Sequence, residues 1–345
     1  MSDEKALLAA IWEHPHDDTV RLAYSDWLQE NGQAERAEFI RVQVEAANLG
    51  YWDDSPRKLA LLHAEERLKK AFGTTWRSEV PGSSRQERFS RGFILPGRRF
   101  STKAFLRLRV GDFDTAPQWE VTVLDVSQAS RPVLDSSLLT RVVKLDLRMG
   151  KAPPEELFGW LAGAAHLRHL RTLAITGLPI VPSVLAEFLN SAVAAPLESL
   201  WLNYFHNGPY RLDGQILQVI AAAPIAGNLR ALGVTLAPGQ SFPGGTFGLF
   251  PWHQFPRLEW LALDYSELGD RGLRLLLAGG VPTTLRRLDL QYNALTDDGA
   301  RLLATWPGGQ AIRHLVVVSN AISEQGVQLL RDSPYYRDVK YLTWR

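Results

Sequence analysis

The sequence predicts an α/β solenoid, with parallel strands on its concave side and helices on its convex side, preceded by a small all-α N-terminal domain. Three observations predict it. A leucine pattern of nearly constant period runs through the last two thirds of the chain. Each copy holds a strand-length apolar segment followed by a helix-length one. The first 75 residues show helical spacing instead.

The pattern is apolar-x-x-apolar-x-apolar. It occurs at Val142/Leu145/Leu147, Leu170/Leu173/Ile175, Leu197/Leu200/Leu202 and Leu229/Leu232/Val234. It continues at Leu258/Leu261/Leu263, Leu285/Leu288/Leu290, Ile312/Leu315/Val317 and Val339/Leu342/Trp344. Successive copies start 28, 27, 32, 29, 27, 27 and 27 residues apart. Such a period marks stacked units, because one unit cannot bury its own apolar side. Leu288 and Leu290 are two apart and so point to one face of a strand. Thr296 suits a helix N-cap, Asp297 and Asp298 suit the positive helix end, and Leu302 and Leu303 are expected to face inward. Leu268 to Leu273 and Ile322 to Val327 repeat that helix start.

The copy from Leu285 to Asn293 and on through Gly299 resembles the leucine-rich repeat of the ribonuclease-inhibitor-like kind. The asparagine of that repeat is kept at Asn293 and Asn320 only. Leu178, Phe205, Ala237 and Ser266 stand in its place elsewhere. Gly and Pro between Val234 and Leu258 oppose a helix there and predict an irregular connection. A longer insertion follows Leu202 and carries Tyr204 and Tyr210.

At the N-terminus, Leu7, Leu8 and Ile11 predict a helix over 3–13, which His14-Pro15-His16 breaks. Asp18 or Thr19 is expected to cap a second helix with Leu22, Ala23, Trp27 and Leu28 on one face, ending at Asn31-Gly32. A third runs from Ala34 to Asn48 with Phe39, Ile40 and Val44 inward. A fourth runs from Pro56 to Phe72 with Leu59, Leu62 and Leu68. Arg21, Asp26, Glu38 and Arg41 are spaced to pair across helices, and Tyr24 and Trp27 to share a face. The string from Asp17 to Gly32, followed by Arg36 to Gln43, resembles the repeat-companion domain, found mostly in planctomycete and myxobacterial proteins ahead of leucine-rich repeats. That resemblance implies a bacterial source and the architecture, and no particular activity. The expected division is 1–75 helical domain, 76–118 basic and aromatic bridging segment with a strand or hairpin, and 119–345 leucine-rich repeats.

Composition narrows the function. The chain has 345 residues, 46% hydrophobic, 22% charged, with a formal net charge of +1 and no cysteine. Disorder, disulfides, thiolate metal sites and cysteine nucleophiles are excluded or disfavoured together. No signal peptide or membrane span is legible, so a cytoplasmic protein is expected. Walker-type phosphate loops, Gly-x-Ser-x-Gly elbows and His-Glu-x-x-His are missing, and no catalytic set stands out; a non-enzymatic protein without cofactor is expected. His14, His16, Asp17 and Asp18 lack the spacing of a closed metal site and fit a helix break with carboxylate caps.

Charge is uneven. Residues 1–75 hold 9 Lys/Arg against 14 Asp/Glu, whereas residues 76–110 hold 9 against 2. Arg85, Arg88, Arg98, Arg99, Lys103 and Arg107 interleave with Phe89, Phe93, Phe100 and Phe105, a composition that can hold an anionic partner or single-stranded nucleic acid. The competing expectation is a hairpin with core aromatics and solvated or paired arginines.

The leading expectation is a scaffold holding a protein or peptide on the concave face. Residues flanking the inward leucines project there, and Trp, Tyr and Arg are enriched at binding hot spots. The expected patch is Trp201, Tyr204, Trp260, Asp264, Tyr265, Arg287, Asp289 and Tyr292. The alternatives are nucleic-acid binding through residues 85–109, and a role as substrate or target of a bacterial protease or signalling system.

Overall fold

The computed structural model describes residues 3–80, 87–113, 116–203, 215–235 and 252–344. The chain divides into two compact units, Met1–Thr122 with Ser136–Lys144, and Val123–Asp135 with Leu145–Arg345.

The first unit begins with four helices, α1 (Asp3–Glu13), α2 (Asp18–Glu30), α3 (Ala34–Asn48) and α4 (Pro56–Ser78). Asp17, one residue earlier than expected, caps α2 by accepting from the Thr19 amide at 2.8 Å. The buried stripe of α2 is Arg21, Tyr24, Ser25 and Leu28, with Trp27 partly buried and Leu22 exposed. The polar members are tolerated inside because most of their donors are met, Arg21 Nε being buried without a partner. Arg21 donates to the carbonyls of Pro15 (2.7 Å) and Asp17 (3.2 Å), and Ser25 to that of Leu22 (2.7 Å). In α4 the inward residues are Leu61 and Leu68, while Leu59 and Leu62 are exposed. The helix is turned so that the buried Lys58 can reach the carbonyls of Ala46 and Gly50. The expected charge pairs form in part. Arg41 meets Asp26 at 2.8 Å, but Glu38 meets Arg67 of α4 at 2.7 Å. Tyr24 and Trp27 stack with ring centroids 6.0 Å apart.

The hairpin expected in the basic segment is present: β1 (Arg88–Ser90) pairs antiparallel with β2 (Phe93–Leu95). Gly92 turns it with φ +88, and a Cβ there would run into Ile40. The Gly92 amide donates to Gln43 Oε1 at 2.7 Å, which fastens the turn to α3. β3 (Gly97–Ser101), the short α5 (Thr102–Phe105) and β4 (Trp119–Val126) follow.

In the second unit each repeat delivers one strand. After α6 (Arg131–Leu134) come β5 (Val142–Gly150), α7 (Pro154–Gly163), β6 (Thr172–Thr176), α8 (Pro182–Leu189), β7 (Ser199–Asn203), α9 (Gln215–Ala222) and β8 (Ala231–Val234). Then follow β9 (Trp260–Ala262), α10 (Gly269–Ala278), β10 (Arg287–Asp289), α11 (Asp297–Ala304), β11 (His314–Val316), α12 (Glu324–Asp332) and β12 (Tyr341–Thr343). The strands stand side by side in chain order, and those from β6 to β12 pair in parallel. The pattern leucines are the core: Leu173, Leu200, Leu232, Leu261, Leu288 and Leu315 are in register and fully buried. In α11 the inward residues are Ala300 and Leu303, and Leu302 is half-buried, because 100° per residue carries it off the buried stripe.

Two polar ladders run through the later repeats. Asn293 Oδ1 accepts from the amides of Ser266 (3.1 Å) and Leu268 (3.3 Å) in the preceding repeat, and its Nδ2 donates to the carbonyls of Leu263 (2.8 Å) and Gln291 (3.2 Å). Asn320 does the same one repeat on, accepting from Asn293 (2.9 Å) and Leu295 (3.0 Å) and donating to Leu290 (2.8 Å) and Val317 (2.9 Å). The second ladder joins helix starts. Asp270 accepts from the Thr296 amide (3.0 Å) and hydroxyl (2.5 Å); Asp297 accepts from the Ser323 amide (2.8 Å) and hydroxyl (2.7 Å). Thr296 and Ser323 cap their helices as expected, whereas α10 starts at Gly269 without a capping side chain. Gly299 and Gly326 are glycines because a Cβ at either would strike the aspartate of the preceding repeat.

Candidate functional site

The strand residues that alternate with the core leucines make the other face of the sheet. In β7 the burial alternates strictly, with Leu200 and Leu202 buried and Ser199, Trp201 and Asn203 part-exposed. Register places Trp201 opposite Gly233 and Gly233 opposite Ala262, while Trp260 lies opposite Ala231 and Arg287.

This register decides what the two tryptophans can do. The Trp201 ring lies over Gly233, where a Cβ would collide with it, and so reaches across the neighbouring strand. It meets Trp260 edge to face, with centroids 4.6 Å apart and planes at 72°. Trp260 is held in turn. Its Nε1 donates to Asp289 Oδ2 at 3.0 Å, and the Arg287 guanidinium sits 4.1 Å from its ring centroid. Arg287 Nε donates to both Asp289 oxygens, at 3.0 and 3.1 Å. Asp289 is buried, and both tryptophans and Arg287 remain partly accessible. A cation over a tryptophan face is attracted by the ring quadrupole, and here the same cation neutralises the carboxylate that fixes the ring. On β11, His314 lies opposite Arg287; burial, and then the neighbouring Arg287 charge, lowers its pKa.

Beyond the strand ends, Tyr265 and Tyr292 stack with centroids 4.2 Å apart and planes at 9°. Tyr292 is exposed. Between them and the tryptophans, burial pushes the Asp264 carboxyl up to about 6, against the opposing pull of Gln291, and Asp264 Oδ1 is buried without a hydrogen-bond partner.

Seven of the eight expected patch residues thus fall into two groups, Trp201–Trp260–Arg287–Asp289 and Asp264–Tyr265–Tyr292. Tyr204 and the two long insertions lie outside the described residues. Sequence reading missed Gly233 as the platform of the Trp201 ring. Its signal was a glycine two residues after Ala231 in the strand pattern.

In the first unit the basic segment is organised by pairing. Arg88 meets Glu120 at 2.6 Å, Arg98 meets Glu87, and Arg91 meets Asp18 at 2.8 Å. Phe89, Phe93 and Phe105 are buried in the core. Arg99, Lys103 and Arg107 are exposed, and Arg85 lies outside the described residues. The arrangement buries three of the four phenylalanines, leaves Phe100 part-exposed, and leaves Arg88, Arg99, Lys103, Arg107 and Arg109 at the surface. Among the described residues no group of three or more histidines and carboxylates converges as a metal site, and no helix is long and apolar enough to cross a membrane.

Comparison with known proteins agrees with this architecture at one repeat. The Leucine Rich repeat family matches residues 281–304, the segment that contains β10 and α11. Together with the strand registers, this makes the second unit a leucine-rich-repeat solenoid. No curated protein matches the chain. Among solved structures, a chain in the crystal structure of the Rad7 and Elc1 complex in yeast is similar at 14% identity. The match covers 99% of this chain and 86% of that one, with a TM-score of 0.40. A chain in the TLR13–ssRNA13 complex is similar at 13% identity over 72% of this chain and 36% of its own length, with a TM-score of 0.39.

Proposed function

We propose that the protein is a non-enzymatic interaction scaffold that holds a protein or peptide on the sheet face carrying Trp201, Trp260, Arg287 and Asp289, flanked by Asp264, Tyr265 and Tyr292. The observation that supports this reading is the locked tryptophan pair. Two large rings stay accessible although each could have been replaced by a small side chain like Ala231 or Ala262 beside them. They are held before any partner arrives, one by the Gly233 platform and one by Asp289 and Arg287. Rings fixed in advance lose little side-chain entropy on binding, a cost of about 0.5–1.5 kcal/mol for each mobile side chain ordered at an interface. We further read residues 3–48 as a repeat-companion domain ahead of the repeats.

The test is selection of binding peptides from a displayed library against the full chain. Trp201→Ala combined with Trp260→Ala should weaken the selected peptides at least about tenfold while the circular dichroism spectrum is unchanged. Retention of full affinity by the double variant would refute the choice of face.

A further inference from the structure

We propose that the first unit contains a binding pocket for a free α-amino acid with an apolar or aromatic side chain. The pocket is built where the ends of α1 and α4, the middle of α2 and the start of α3 meet β2. It encloses about 260 Å³, with Trp12, Tyr24, Trp76 and Phe93 among its walls. That is slightly below the ~300–1,000 Å³ of pockets that take drug-sized ligands, so it selects a smaller molecule.

Its polar groups are few and of opposite sign. Arg36, from the first turn of α3, lines the pocket, and its side chain is only 11% exposed. The guanidinium lies 4.9 Å from the Trp76 ring centroid and 5.8 Å from that of Phe93. Its Nη2 is 3.6 Å from Glu79 Oε2, but its Nη1 is buried with no hydrogen-bond partner. Glu79 and Glu4 line the same space, Glu4 accepting from the Tyr24 hydroxyl at 3.4 Å. Burial lowers the pKa of Arg36, and partial burial raises that of Glu79, whose side chain stands at the mouth of the pocket, 55% exposed.

The charge balance decides the ligand class. A buried donor without an acceptor is unfavourable, the more so when charged, so Arg36 Nη1 calls for an acceptor. A simple anion would meet Arg36 but face two carboxylates against one guanidinium. A simple cation would suit Glu4 and Glu79 and leave Nη1 unmet. A zwitterion meets both: its carboxylate accepts from Arg36, its ammonium lies toward Glu4 and Glu79, and its side chain packs on the rings. The rings of Trp12, Trp76 and Phe93 offer an apolar or aromatic side chain surface to pack on.

Calorimetric titration of the full chain with L-phenylalanine, L-leucine and L-tryptophan tests this, with intrinsic tryptophan fluorescence reporting the rings of Trp12 and Trp76. At least one of the three should bind one to one. Its amide, lacking the carboxylate, and its deaminated acid, lacking the ammonium, should each bind at least about tenfold more weakly. Arg36→Gln should remove binding. Because Arg36 is also packed in the core, Glu4→Gln at the accessible rim provides a second variant and should weaken binding with the fold retained. Trp260→Ala, in the other unit, should bind as the unaltered chain does. No binding by any of the three amino acids at about 10 mM would overturn the proposal, as would equal binding by the deaminated acid, or by Glu4→Gln.

Discussion

In the repeats from Leu258 onward the chain leaves each strand through Tyr265, Tyr292 and Ser319, all left-handed with φ of 55°, 53° and 55°. In the earlier repeat around β6 it leaves at the same position through Gly177, with φ of 68°. The turn is the same, but its support differs. Glycine adopts that conformation freely, whereas a residue with a Cβ needs its surroundings to impose it. At Tyr292 and Ser319 the imposing group is the asparagine that follows, whose amide bonds to backbone of two repeats at once, and after Tyr265 it is Ser266, whose backbone amide donates to Asn293 of the next repeat. In the earlier one the following residue is Leu178, which is fully buried and contributes apolar packing alone. The later repeats are therefore held by polar ladders over a leucine core, and the turn after β6 by packing and glycine. Relieved of the need for glycine, the later half can place tyrosines at its turns, and two of these stack beside the tryptophan cluster.

The sharpest way to break this contrast is Asn293→Ala. It strips acceptors from two buried amides and donors from two carbonyls, so it should cost about 3–5 kcal/mol. Urea denaturation should show the loss. A cost below about 1 kcal/mol would mean that packing, as in the earlier repeats, holds this turn as well.

Next in size is the pH dependence at Asp264. Its pKa in the fold is about 6, raised from 3.8 mainly by burial. As pH rises from about 4 to 6 the unfolded chain gives up this proton first. The contribution of Asp264 to stability therefore falls across that window and stays low above it. Asp264→Asn should flatten the fall and stabilise the protein by about 1–2 kcal/mol at pH 7, allowing for its partial exposure. Melting temperatures of the two proteins at pH 4 and pH 7 check the sign. An equal difference at both would show that Asp264 has the same pKa in the folded and the unfolded chain.

The smallest effect is expected at the left-handed positions themselves. Gly177→Ala should destabilise by about 1 kcal/mol, since a Cβ is disfavoured there. Tyr292→Gly should relieve the backbone by a similar amount and lose the stack with Tyr265, for a net change within about 0.5 kcal/mol. A large loss in Tyr292→Gly would make the tyrosine stack a principal support of the later turns.

How far the sequence disclosed these features varies with their periodicity. The leucine spacing located the buried register of the first seven repeats, because inward side chains two apart on one strand per unit leave a period in the chain, and in the eighth Val339, Leu342 and Trp344 are only half-buried. The N-terminal helices were equally legible. Their buried stripes were not, because Arg21 and Lys58 go inside on the strength of carbonyls contributed by other segments. The basic segment read as both a hairpin and an anionic-partner site. Its arginines find Glu87, Glu120 and Asp18, and no local spacing announces a partner 73 residues away.

What the sequence determined by itself was the repeat, its period and the choice of residues that line its open face. A one-dimensional stack of like units projects directly onto the chain. What only the tertiary structure decided is how those residues support one another. Trp201 and Trp260 are 59 positions apart in the chain. They meet because parallel register sets Gly233 between them and Asp289 beyond them, and a glycine's missing side chain becomes a platform only when a ring from the next strand lies on it.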